Sequence, residues 1–120
     1  MLKIQDNQLS SLDPTTFNSL TNLQQLILYY NKLTKIKATT FSNLKSLIVL
    51  ILDDNQLSSL DLATINSFTN LQVLSLYSNK LTQKQATTFS NLKSLTQLSL
   101  NENQLSSLDP TTFNSLANLQ

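Results

Sequence analysis

The side chains able to do chemistry are few, and their spacing argues against catalysis. With no histidine and no cysteine in 120 residues, imidazole bases, thiolate nucleophiles and soft metal ligands are all missing. Seven acids, eight lysines and many serine and threonine hydroxyls remain. The nearest acids, Asp53 and Asp54, are adjacent, so in an extended segment they point apart and form no acid/base pair. Asp6, Asp54 and Glu102 recur at 48-residue intervals, two structural units apart, which is roughly 10 Å in a stack of strands. The hydroxyls have no obvious activating partner, and no loop of clustered oxygens surrounds Asp53 and Asp54 to hold calcium. The expectation is a non-enzymatic chain with no catalytic residue, no metal and no cofactor.

Recognition chemistry is better represented. The three tyrosines, Tyr29, Tyr30 and Tyr77, occupy equivalent places beside Asp53 and Asp54, just beyond the apolar residues Ile27, Val49, Ile51 and Val73. Whether these meet depends on the elements that carry them. Those elements are repeats: LQQLILYYNKL at 23–33, LIVLILDDNQL at 47–57, LQVLSLYSNKL at 71–81 and LTQLSLNENQL at 95–105. Leu2 to Leu9 is the same pattern without its first three residues, an incomplete first strand. A fixed 24-residue period of this kind means a pile of like units, here a single domain of five over 1–120 with no recognisable caps.

Alternation within each strand sends Leu2, Leu26, Leu50, Leu74 and Leu98, and then Ile4, Leu28, Leu52, Leu76 and Leu100, to the inner side. Asn7, Asn31, Asn55, Asn79 and Asn103 form a column of amides where the chain leaves the strand. An amide carries both donors and acceptors, so this ladder is read as structural, bonding its own coil and the next. The return limb adds Phe17, Phe41, Ile65, Phe89 and Phe113, then Leu20, Leu44, Phe68, Leu92 and Leu116. The third unit keeps its aromatic by moving it from 65 to 68. Lys84 interrupts an apolar column, where its stem is expected to pack while the ammonium reaches solvent. Asp13-Pro14 and Asp109-Pro110 have the form of helix starts.

A net charge of +1 gives no reason to expect nucleic acid or a membrane surface as partner, and the longest apolar run, Leu47 to Leu52, is far too short to insert in a bilayer. Every acid lies in an odd-numbered unit, and seven of the eight lysines lie in the second and fourth. One column reads Asp13, Lys37, Asp61, Gln85, Asp109, so opposite charges are expected to face each other between neighbours.

The pattern LxxLxLxxNxLxxLxxxxFxxLxx, carried by 23–46 and its copies over the whole chain, resembles the leucine-rich repeat family, in its typical 24-residue class. The resemblance implies an α/β solenoid: a curved stack with a concave parallel β-sheet and short helical or 3₁₀ turns on the convex side. It also implies an extracellular or cell-surface setting, as in Toll-like receptor ectodomains and variable lymphocyte receptors, although the cysteine caps of those relatives are absent here. In such a solenoid the concave sheet is the place to bind a protein or glycan partner.

On that face the columns vary from unit to unit, and the expected ligand-binding set is Ile27, Tyr29, Tyr30, Val49, Ile51, Asp53, Asp54, Val73 and Tyr77. Exposed apolar patches with tyrosines mark interfaces. Strand propensity alone would also place Ile and Val there. The alternative is a structural role. Leu119-Gln120 followed by Met1-Leu2 regenerates the motif in phase, so copies of the chain would stack head to tail into a filament, or belong to a longer array.

Overall fold

The computed structural model describes residues 1–5, 7–82, 87–105, 113, 114, 116 and 118. Asp6, Lys84, Gln85 and the Asp109-Pro110 turn lie outside the described residues, as does the side chain of Ile65.

Five short strands form one parallel sheet in chain order: β1 Leu2–Lys3, β2 Gln25–Ile27, β3 Val49–Ile51, β4 Val73–Ser75 and β5 Gln97–Ser99. The register is the 24-residue period itself, with Leu2, Leu26, Leu50, Leu74 and Leu98 paired in turn. Leu26, Leu28, Leu50, Leu52, Leu74 and Leu76 are fully buried, as the inner columns require. Each such leucine is worth about 1.5–3 kcal/mol of burial, so a shift of one residue would turn all of them to water.

The strands are short because the chain bends sharply three residues beyond the ends of β2 to β5. Tyr30, Asp54, Ser78 and Glu102 have φ of 56°, 55°, 57° and 58°, in the left-handed region, and Gln8, two positions further along its own coil, also has a positive φ, 54°. The chain contains no glycine to occupy these positions. Each left-handed non-glycine residue costs about 1 kcal/mol or more, so neighbouring contacts must hold it.

The asparagine after each bend supplies such contacts. Asn55 Nδ2 donates to the carbonyls of Leu52 (3.0 Å) and Asp53 (3.2 Å) in its own coil and Leu28 (3.0 Å) in the preceding one. Its Oδ1 accepts from the Leu33 N–H at 3.1 Å. Asn31, Asn79 and Asn103 repeat the arrangement, with Oδ1 accepting from Leu9, Leu57 and Leu81. Asn31, Asn55 and Asn79 are buried. A buried amide at the bend thus satisfies backbone groups that the sheet ladder no longer reaches. Beyond it a second line of backbone bonds resumes, Lys32 N–H to Leu9, Gln56 to Leu33, Lys80 to Leu57 and Gln104 to Leu81, at 2.7–2.9 Å.

The return limbs are mostly successive i to i+3 turns. At Asp13-Pro14 the carboxylate accepts from the Thr15 N–H (2.8 Å) and hydroxyl (2.7 Å), and the chain closes through Thr16 N–H to Asp13 and Asn18 N–H to Thr15 without becoming an α-helix. Among the described residues the helical return segments are α1 Leu62–Asn66, whose start is capped by Asp61 Oδ1 accepting from Ala63 N–H, and a 3₁₀ turn, Thr87–Asn91. Behind them runs an aromatic row. Phe17 and Phe41 are 5.8 Å apart between ring centroids, and Phe41 and Phe68 5.9 Å, so moving the aromatic from 65 to 68 keeps the row continuous.

The expected charge ladder is weaker than the amide ladder. Lys37 contributes the smallest of the effects that hold the Asp13 carboxyl below its ordinary value, behind the Thr15 hydroxyl and N–H. Among the described residues no lysine comes within ion-pair distance of a carboxylate. Long lysines on a wet surface lose more in freedom than they gain in screened attraction.

Candidate functional site

The solvent-facing side of the sheet is built by the same alternation that buries its leucines. Between Leu26, Leu50 and Leu74 and their neighbours, the outward positions of β2, β3 and β4 come into register as Gln25, Val49, Val73 and Gln97 in one column and Ile27, Ile51, Ser75 and Ser99 in the next. Ile27, Val49, Ile51 and Val73 therefore form one contiguous, half-buried block at the centre, with amides and hydroxyls on its margins.

One step further along each coil, Tyr29, Asp53 and Tyr77 continue this face. Tyr29 is half-buried, and its ring meets Tyr30 edge-on at 5.2 Å between centroids. Lys3 Nζ lies 5.2 Å from the Tyr29 ring centroid, within cation–π range. Tyr30 is 55% and Tyr77 41% exposed, unusually open for large apolar side chains. All nine residues expected from the sequence thus lie on this face or at its edge.

The two aspartates differ in environment. Asp53 Oδ1 accepts from the Ser75 hydroxyl at 2.6 Å and the Tyr77 N–H at 2.9 Å, so this carboxylate ties its coil to the next. Asp54 is half-buried, and among the described residues its carboxylate has neither hydrogen-bond nor ion-pair partner. Main-chain bonds fix the pair from both sides: Tyr30 N–H donates to Asp53 O at 3.1 Å and Asp54 N–H to Tyr77 O at 2.9 Å. Two contributors escape a motif-by-motif reading, Lys3 and Ser75. Each becomes visible once the coils are written in register, since Lys3 pairs with Ile27 and Ser75 with Ile51.

Chemically the face can present apolar area, aromatic rings and one unengaged carboxylate. Among the described residues no group of three or more acids, histidines or cysteines is placed to hold a metal ion. Two hollows lie elsewhere: one of about 380 Å³ beside Leu20 and Leu23, and one of about 270 Å³ between Phe68 and Lys93. No described helix is long and apolar enough to cross a membrane.

A family model described as leucine rich repeat matches residues 1–57, 45–105 and 69–120. Among solved structures, the chain is similar to the APL1 leucine-rich repeat domain, with 30% identity and a TM-score of 0.84 over 96% of this chain and 30% of that one. It is similar to the Leptospira interrogans leucine-rich repeat protein LIC12759, with 28% identity and a TM-score of 0.76 over 99% of this chain and 35% of that one. The leucine-rich repeat ectodomain of the receptor kinase SOBIR1 from Arabidopsis thaliana shares 29% identity and a TM-score of 0.73, over 99% and 64% of the two chains. The chain spans about a third of the length of the first two of these. No curated protein sequence matches it.

Proposed function

The chain belongs to the leucine-rich repeat family, and from that premise we propose that it is a non-enzymatic interaction module that binds a protein partner on its concave sheet. The whole of 1–120 works as a single solenoid in this reading. The observation that carries it is the block of Ile27, Val49, Ile51 and Val73 rimmed by Tyr29, Tyr30 and Tyr77, left open on a sheet whose other side is a uniform leucine core. Tyrosines joined to apolar area are favoured anchors, since they bury much surface at little cost in freedom. The likeness to the ectodomain of a receptor kinase supports an extracellular or cell-surface setting for this activity.

A display library of protein fragments panned on the folded chain tests the assignment. Recovered binders are then measured against Ile51→Thr/Tyr77→Ala on the sheet and against Thr39→Lys on the exposed return limb. Binders should lose most of their affinity for the first variant and keep it for the second. Binders indifferent to the sheet variant, or selective for the return limb, overturn the proposal.

A further inference from the structure

Resting on the concave-face reading, we infer that the partner segment is basic, and that it places an arginine or lysine on Asp54 between Tyr30 and Tyr77. Three features of the edge of the sheet converge on this. The Asp53 carboxylate is already engaged by Ser75 and Tyr77, whereas that of Asp54, one residue on, is half-buried and unengaged. Backbone bonds hold this aspartate pair between the two most exposed tyrosines, so the charge and the rings keep fixed places relative to one another. The third feature is internal: Lys3 Nζ already sits over the Tyr29 ring at 5.2 Å, a cation held by the same aromatic rim.

A cation placed beside an aromatic face and a carboxylate gains from both, and arginine adds a planar group that can stack and donate at once. The lysines just past the equivalent bends of the two neighbouring coils do not satisfy the carboxylate. Lys32 is exposed and donates to Gln8 Oε1 at 3.4 Å, and Lys80 is exposed with no ion pair to Asp54. The apolar block next to the edge, Ile27, Val49, Ile51 and Val73, offers contact area for apolar residues flanking the cation in an extended segment.

Two capped peptides, acetyl-Val-Arg-Val-amide and its citrulline counterpart, test the inference, since citrulline has nearly the shape of arginine and no charge. Amide resonances of the folded chain are followed during titration with each, with acetyl-Val-Glu-Val-amide as a third arm. The arginine peptide should produce saturable shifts centred on Tyr30, Asp54 and Tyr77, and the citrulline and glutamate peptides much smaller ones. Asp54→Asn should weaken the arginine peptide by about fivefold to tenfold, the scale of one lost exposed charge contact next to a ring. Asparagine tolerates the left-handed backbone at 54, so this variant keeps the bend. Equal binding of arginine and citrulline, preference for glutamate, or an unchanged affinity in Asp54→Asn overturns the inference. The library experiment is independent: sheet-dependent binders combined with no arginine preference would leave the interaction face standing and remove only its basic partner.

Discussion

Replacing Asn55 by alanine should destabilise the chain by about 3 kcal/mol, and the structure shows where the loss falls. The three carbonyls that Asn55 serves all keep a second donor. Leu28 O retains Asn31 Nδ2, Leu52 O retains Asn79 Nδ2, and Asp53 O retains the Tyr30 N–H, at 3.0–3.1 Å. The Leu33 N–H keeps nothing, because among the described residues Asn55 Oδ1 is its only acceptor. One orphaned buried donor costs about 1–3 kcal/mol, and the void left by a buried amide adds roughly 1 kcal/mol. Asn7, exposed at the start of the ladder, is the control, and its alanine variant should cost less than about 0.5 kcal/mol. Urea melts followed by circular dichroism measure both, and the Asn55 variant should also lower the thermal midpoint by roughly 10 °C or more. Asn55→Asp should be worse than alanine at neutral pH, because a buried carboxylate would face three carbonyls. Its folded-state pKa would be raised, so this penalty grows as pH rises above about 4 and shrinks in acid. Equal losses for Asn7→Ala and Asn55→Ala would refute the reasoning.

Four further outcomes follow from particular side chains. The hydroxyls of Thr40 and Thr64 are buried without a partner, so Thr64→Val should leave stability unchanged or raise it by about 1 kcal/mol, read from urea midpoints. Ser78 holds φ at 57°, so Ser78→Gly should stabilise by up to about 1 kcal/mol and Ser78→Val should destabilise by more than that. Asp53→Ala removes acceptors from the Ser75 hydroxyl and Tyr77 N–H, and should cost about 1 kcal/mol while speeding hydrogen exchange at the Tyr77 amide. The Asp13 carboxyl is held below 3.8 by the Thr15 hydroxyl and N–H, so its contribution is present above that pH and lost as pH falls through the lower folded value. Asp13→Asn should therefore flatten the acid limb of the stability profile.

Much of the fold could be read from the chain because the period and the pleat demand the same residues. A leucine returning every 24 positions is a statement about register, and the pairing of Leu26 with Leu50 and Leu74 follows from it. The same alternation placed Ile27, Val49, Ile51 and Val73 on the open face. Three features resisted. The left-handed bends at Tyr30, Asp54, Ser78 and Glu102 carry little local signal, since only aspartate among these residue types is enriched at positive φ and glycine is absent. The different environments of Asp53 and Asp54 depend on Ser75 and Tyr77, more than 20 residues away, and not on anything adjacent to them in sequence. At Asp13-Pro14 the local signature of a helix start is present, yet only turns form, while α1 arises at Asp61-Leu62 where there is no proline. A cap satisfies one end of a helix, but the short return to the next strand leaves little room to propagate it.

The stacking of coils through asparagine amides is tested most directly by native-state hydrogen exchange at the Leu33, Leu57 and Leu81 N–H groups, each held by the side chain of an asparagine in the following coil. These three amides should exchange as slowly as those within the sheet, and Asn79→Ala should release Leu57 while Leu33 stays more protected. Exchange of all three at the rates of an open chain would contradict the account.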